Sequence, residues 1–99
     1  MKYILEGKTV VECSDLLTWA RWFEDADRGV AKDIINDVKV STVFLGLNHS
    51  FTEDGPPILF ETMIFGGKFD DELWRYATWE EAEAGHAKAV EKVRNENRL

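Results

Sequence analysis

The chain has 99 residues, of which 44% are hydrophobic and 31% are charged, and its formal net charge is −7. This length and composition predict one folded domain, residues 1–99, with a single hydrophobic core. The negative charge argues against direct binding to nucleic acid or to a membrane, because attraction to phosphate groups dominates such binding. A basic or neutral protein is the partner that this charge favours.

The sequence also indicates where the protein works. No apolar stretch approaches the roughly 20 residues that span a bilayer. Residues 1–7 lack the basic start and the long apolar run of a signal peptide. The single cysteine, Cys13, cannot form an internal disulfide, which favours a reducing compartment. We therefore expect a cytoplasmic protein.

The N-terminal third predicts a hairpin followed by a helix. Residues 3–11 nearly alternate polar and apolar side chains around Gly7, as in a short hairpin. Ser14 is a typical N-cap residue ahead of an apolar series with helical spacing. That series comprises Leu16, Trp19, Ala20, Phe23 and Ala26. We expect this helix to bury a broad stripe, widened by Trp22, against a sheet and to end at Gly29.

A second hairpin is predicted from residues 30–35 and the run that begins at Val38. Only an Asn-Asp pair separates them, and both residue types tolerate the left-handed conformation of a type I′ turn. In the second run the apolar positions change from even to odd numbers after Val40. This change predicts either burial of both faces or a bulge near Ser41 and Thr42.

The C-terminal half predicts two more strands and a second helix. Residues 58–65 are almost entirely apolar, as in an inner strand covered by a helix, and residues 73–76 predict an edge strand. Thr78 and Glu81 form a capping box at the start of the helix. Its predicted inward face comprises Ala82, His86, Ala89, Val90 and Val93. The elements together predict an α+β fold, a single small domain in which an antiparallel sheet of about four or five strands packs with two helices.

Three segments, STVFLGLNH, GPPILFETMIFGG and WRYATWEEAEAGH, resemble a family of small uncharacterised proteins encoded by bacteriophages and prophages. The resemblance extends upstream through YILEGK and DLLTWARWFE, so it covers nearly the whole chain. It implies a context, phage infection or lysogeny in the cytoplasm of a bacterial host, and a host or phage protein as partner. It implies no established activity.

His49, Glu61 and His86 are the obvious candidates for a metal site. With a strand rise of roughly 3.3 Å per residue, hairpin geometry places Glu61 on the order of 10 Å from His49, too far to share one zinc ion. Glu83 and His86 have the spacing that one helix contributes to a di-metal carboxylate site, but such sites draw on four helices. We therefore predict no metal and no cofactor.

Glu61 lies among apolar residues, where a carboxylate must be solvated, hydrogen-bonded or protonated. A structural partner such as Ser41, Thr42 or Arg75 is the favoured interpretation, and a ligand pocket around the carboxylate is the alternative. No second catalytic group has a spacing that places it beside Glu61. Nucleophile-elbow, phosphate-loop and paired-cysteine motifs are also absent from the sequence.

The loop over residues 48–57 and the last predicted strand carry the other candidate residues. Phe51, beside His49, is a typical binding anchor if it is exposed, and otherwise folds back onto the core. Trp74 and Tyr76 share one face of the edge strand, where they meet either a partner or a helix.

These features favour a phage accessory protein that binds a host or phage protein without catalysis. The candidate binding residues are His49, Phe51, Glu61, Trp74 and Tyr76. The alternative is a small enzyme or ligand-binding domain with a pocket around Glu61, assisted by a metal at His49 or His86.

Overall fold

The computed structural model of the protein describes residues 1–50 and 54–96. In chain order the elements are β1 (Tyr3–Glu6), β2 (Thr9–Glu12), α1 (Leu16–Asp25), β3 (Gly29–Ile35), β4 (Val38–Phe44), β5 (Phe60–Phe65), β6 (Leu73–Tyr76) and α2 (Trp79–Glu96). Strands β3 to β6 form a four-stranded antiparallel sheet in chain order, and β1 and β2 form a separate hairpin. The predicted α+β fold with two helices is confirmed. In the described ranges, no helix is long and apolar enough to cross a bilayer.

Both predicted hairpin turns adopt the expected backbone. Gly7 has a φ of 64° between β1 and β2. Asn36 and Asp37, with φ values of 47° and 71°, join β3 to β4. Positive φ at both central residues is what a type I′ turn requires, and its twist matches that of the flanking strands. Local turn chemistry therefore sets both hairpins.

The inward side of β4 does not change along the strand. Val40, Thr42 and Phe44 are fully buried, and the residues between them are only partly buried or exposed. The register shift lies in the neighbouring strand β3, just after Gly29. The shift faces Thr42 and Val43, so a bulge does lie near the predicted place, but its extra residue, Val30, belongs to β3. The apolar pattern of β4 changed to odd positions because the inward residue 42 is a threonine and residue 43, on the other face, is a valine.

Helix α2 lies across one face of the four-stranded sheet, and the core has two parts beneath it. One cluster contains Val40, Ile64, Ala89, Val90 and Val93, and the other contains Phe44, Leu59, Phe60 and Ala82. All five helix positions predicted to face inward are buried. The β1–β2 hairpin packs against the second cluster, whereas the opposite face of the sheet exposes Ile34, Phe65 and Leu73.

Helix α1 differs from its prediction at both ends. Asp15, and not Ser14, is the N-cap residue: its carboxylate accepts a hydrogen bond from the backbone N–H of Leu17 at 3.1 Å. A second bond, from the Thr18 hydroxyl at 2.8 Å, reaches the same carboxylate. These two bonds, that of Thr18 first, hold the pKa of Asp15 below its ordinary value of 3.8. The helix ends at Asp25, ahead of the predicted stop.

The expected buried stripe on α1 does not form. No residue of α1 is fully buried, and Leu16 and Leu17 are 61% and 66% exposed. The helix is held instead by its tryptophans. The indole of Trp19 donates to the carbonyl oxygen of Tyr3 at 3.0 Å, and Trp22 meets Phe44 edge-on. The helix packs beside the β1–β2 hairpin, not across the sheet, so only a narrow strip of its surface is covered.

Candidate functional site

A groove runs between the edge strand β6 and helix α2, which we call the β6–α2 groove. Its volume is about 400 Å³. It is lined by Trp74, Tyr76, Gly85, Lys88, Ala89 and Lys92. Two of the predicted binding residues, Trp74 and Tyr76, therefore meet in one concave surface.

Strand alternation explains why these two rings lie together. Neighbouring residues of a strand point to opposite faces, so Trp74 and Tyr76 face α2 while Leu73 and Arg75 face the other way. Trp74 packs against the cluster around Val40, and Tyr76 packs against the cluster around Phe44. Both rings are half-buried, so each combines core packing with a surface in the groove.

Gly85 determines the shape of the groove floor. A Cβ atom at this position would overlap the hydroxyl and ring atoms of Tyr76. Only glycine, which has no side chain, lets the ring lie directly on the helix. Gly85 thus allows the helix and sheet to approach closely.

Lysines supply the charge of the groove. The Nζ atom of Lys92 lies 2.6 Å from a carboxylate oxygen of Glu72 and 5.4 Å from the centre of the Trp74 ring. This arrangement combines an ion pair with a cation–π contact. Lys88 is exposed and makes no ion pair within the described part of the chain. Lys88 is therefore the unpaired positive charge among the described residues that line the groove, on a protein of net charge −7.

Glu61 does not belong to this groove. Its carboxylate accepts a hydrogen bond from Nε of Arg75 at 2.9 Å, and the two residues are directly opposite each other on β5 and β6. Arg75 was one of the partners predicted for it. The pair lies on the sheet face that points away from α2, because Phe60 and Thr62 on either side of Glu61 face the core.

His49 lies in the loop after β4. Its Nδ1 is 2.8 Å from the carbonyl oxygen of Leu47. The preceding Asn48 organises the base of the loop, since its side-chain oxygen accepts bonds from the N–H groups of Ser50 and Ile58 at 2.8 Å and 2.9 Å. The prediction for Phe51 falls on a residue outside the described ranges. The four predicted binding residues within the described ranges thus occupy three separate places.

The sequence did not predict a largely buried polar network that joins four elements, β3, β4, β5 and α2. Nε2 of His86 lies 2.7 Å from Oδ2 of Asp33, and Nδ1 lies 2.7 Å from the Thr42 hydroxyl. That hydroxyl lies 2.5 Å from the hydroxyl of Thr62. Both ring nitrogens of His86 are thus bonded to side chains of the sheet. The sequence signal that could have indicated this network is the pair of threonines at inward positions of two neighbouring strands.

The network has a defined direction when the imidazole is neutral. An ionised carboxylate only accepts hydrogen bonds, so Nε2 of His86 donates to Asp33. Nδ1 then accepts from Thr42, which in turn accepts from Thr62. The two ring nitrogens of His86 and the two threonine hydroxyls are thereby all hydrogen-bonded, as burial requires.

An acid, an imidazole and a hydroxyl in sequence also describe a nucleophilic triad, so its access to substrate decides its chemistry. Thr42 is 0% exposed, and its hydroxyl is already shared by two partners. A substrate carbonyl could not reach it without opening the core. We therefore interpret this network as structural.

The three residues considered as candidate metal ligands do not come together. Among the described residues, no group of three or more His, Cys, Asp or Glu side chains could hold a metal ion. His49 bonds within its own loop, Glu61 bonds to β6, and His86 bonds to β3 and β4.

The geometry of the chain's own residues is the guide to its function. The β6–α2 groove combines aromatic rings, lysines and a sheet edge, an arrangement suited to recognition. Comparison of the chain with protein-family models, with curated proteins and with solved structures finds no match.

Proposed function

We propose that this protein is a phage or prophage accessory protein that acts in the bacterial cytoplasm by binding a host or phage protein, with no catalytic step of its own. The observation that carries this proposal is the β6–α2 groove, where Trp74 and Tyr76 line a concave surface beside the sheet edge. Tryptophan and tyrosine are enriched among the residues that dominate binding energy at protein interfaces. The resemblance to small phage proteins supplies the biological context.

The aromatic rings of the groove are already ordered for binding. Immobilising a side chain on binding costs about 0.5–1.5 kcal/mol. Trp74 and Tyr76 each pack against a core cluster, and Gly85 fixes the position of the tyrosine ring. A partner that uses these rings therefore avoids most of that cost.

The net charge of −7 and the lysines of the groove act over different distances. At physiological ionic strength, interactions between exposed charges are largely screened beyond about 8 Å. A segment in the groove thus responds mainly to Lys88, since Lys92 is paired with Glu72. The diffuse negative charge favours approach by a partner that is basic or neutral overall. The two preferences are compatible in one partner protein.

The side chains required by the enzyme alternative are engaged elsewhere. Glu61 is paired with Arg75 on the far face of the sheet, and both ring nitrogens of His86 are hydrogen-bonded. His49 belongs to a different loop. These separate environments support binding over catalysis as the function to test.

Affinity capture from a phage-infected host lysate tests the proposal. The wild-type protein is compared with Lys88→Glu in the groove and with Lys32→Glu, an exposed position on the opposite edge strand β3. We expect one specific partner to be retained by the wild type and by Lys32→Glu and lost by Lys88→Glu. The proposal would be contradicted if the wild type captured no protein that Lys88→Glu fails to capture. Turnover of a substrate by the purified protein would also contradict it.

A further inference from the structure

We infer that the β6–α2 groove binds an extended acidic segment of the partner protein, which adds to β6 as a fifth strand of the sheet. This inference rests on the proposed protein-binding function and names the chemistry of the partner. It follows from three properties of the groove: an unpaired backbone edge, alternating side-chain surfaces and lysines at the rim.

The first property is the hydrogen-bonding edge of β6. Within the described chain, β6 pairs with β5 and with no other strand. The carbonyl oxygens of Glu72 and Tyr76 accept bonds from the N–H groups of Ile64 and Leu59, each at 3.0 Å, so they point towards β5. Backbone groups alternate in direction along a strand, and those of Leu73 and Arg75 therefore point outward. These outward groups form the template that an added strand requires.

The second property is the pair of surfaces beside this edge. An added strand also alternates its side chains, so every second residue of the segment would face α2 beside Trp74 and Tyr76. The groove there, of about 400 Å³, is large enough for apolar side chains of the segment. The remaining side chains would face the open side of the sheet beside Leu73, which is 42% exposed.

The third property is charge. The charged residues lining the groove are Lys88 and Lys92. Lys92 is already paired with Glu72, whereas Lys88 has no ion-pair partner among the described residues. Carboxylates on an added segment would reach this lysine from the solvent side. A basic segment would instead place like charges together, which costs free energy. The charge therefore selects an acidic segment.

The same charge argues against a second copy of this chain as the occupant. Pairing of two β6 edges would bring two copies of the unpaired Lys88 towards one another, and each chain carries a net charge of −7. Local and global repulsion would then act together. A separate partner protein is the occupant that the charge distribution favours.

Selection from a random eight-residue peptide library against the purified full chain tests this inference. We expect the selected peptides to alternate apolar residues with Asp or Glu. Binding of the best peptide should protect the amides of Leu73 and Arg75 from hydrogen exchange. It should weaken about tenfold or more in Lys88→Glu, the loss expected of a charge-assisted contact, and change less than about twofold in Lys32→Glu.

N-methylation of the peptide provides a test that needs no protein variant. A methyl group on a peptide nitrogen that faces β6 removes one backbone bond, and a methyl group on the next nitrogen does not. We expect only the first to weaken binding. Strand addition would be overturned if both methyl groups weakened binding equally, or if the peptide left hydrogen exchange at Leu73 and Arg75 unchanged. It would also be overturned if the selected peptides were basic, or if the library gave no binding peptide. If these amides became protected at high protein concentration in the absence of peptide, the occupant would be a second copy of the chain. That result would also overturn the inference.

Failure of this inference is distinguishable from failure of the proposed function. Lysate capture can give a specific partner that the Lys88→Glu variant fails to bind, while no peptide protects the β6 edge from exchange. In that case the protein binds through the groove without strand addition. If neither experiment gives a specific ligand, both proposals fail.

Discussion

Tyr76 lies directly on Gly85, so closely that the helix has no room for a side chain at that position. This contact joins the edge strand β6 to the middle of α2 and forms the floor of the β6–α2 groove. A glycine inside a helix costs up to about 1 kcal/mol relative to alanine. The structure shows what the protein gains from it, which is a close approach between helix and strand.

We predict that Gly85→Ala destabilises the protein although alanine is the better helix former. The added methyl group displaces the Tyr76 ring, and such overpacking costs about 1–3 kcal/mol in free energy of unfolding. Urea unfolding measures this change. In a Tyr76→Ala background the same substitution should become stabilising, since only the helix propensity remains.

Ala87→Gly is the matched control for this pair. Ala87 lies on the same helix and is exposed, so its replacement by glycine should cost about 0.5–1 kcal/mol through propensity alone. If Gly85→Ala stabilises the wild-type protein by the amount that Ala87→Gly destabilises it, the contact with Tyr76 imposes no constraint.

The buried network predicts a large effect from a nearly isosteric change. Thr42→Val removes the hydroxyl that bonds both His86 and Thr62, and leaving a buried group unsatisfied costs about 1–3 kcal/mol. Thermal or urea unfolding measures the loss. Ser41→Val, the adjacent residue on the open side of β4, should change stability by less than about 0.5 kcal/mol.

The hydroxyl pair within this network can be tested by a double-mutant cycle. Thr42→Val and Thr62→Val together should cost less than the sum of the two single changes, because removing both hydroxyls leaves neither unpaired. Additive costs would show that the two hydroxyls do not interact in solution.

We predict that the ion pair of Glu61 and Arg75 stabilises the protein modestly and that the two charges can be swapped between the positions. Their side chains are 18% and 35% exposed, and directly opposed charges on neighbouring strands contribute roughly 0.2–1 kcal/mol. Arg75→Glu should destabilise the protein, and the swap Arg75→Glu with Glu61→Arg should restore most of the loss. The more exposed pair of Lys68 and Glu96 is the control, and Lys68→Ala should have no measurable effect. A swap no more stable than Arg75→Glu would refute the pairing.

Patterns within a single element predicted most of the fold. The turn residues Asn36 and Asp37, the capping box of Thr78 and Glu81 and the strand at residues 73–76 all depend on interactions among near neighbours in sequence. The common face of Trp74 and Tyr76 follows from strand alternation alone. Local chemistry therefore sufficed to place the aromatic half of the groove.

Interactions between distant elements were not predictable in the same way. His86 and Asp33 are 53 positions apart, and nothing in either segment indicates that they meet. Helix α1 has an apolar series, but its burial depends on where the β1–β2 hairpin lies. Such features arise from the packing of whole elements, which the pattern of one element does not specify.

The Asp15 cap predicts a pH-dependent contribution to the stability of α1. Because the folded-state pKa of Asp15 lies below its ordinary value of 3.8, the unfolded chain takes up a proton more readily as the pH falls. The cap's stabilisation is thus complete above the ordinary pKa and is lost as the pH falls through it towards the folded-state pKa. Asp15→Asn keeps a capping oxygen but cannot titrate, so it is the reference variant. We expect the wild type to exceed Asp15→Asn in urea midpoint at about pH 6 and this advantage to shrink at about pH 3. A difference that stays constant between these values would show that the carboxylate's charge does not contribute to the cap.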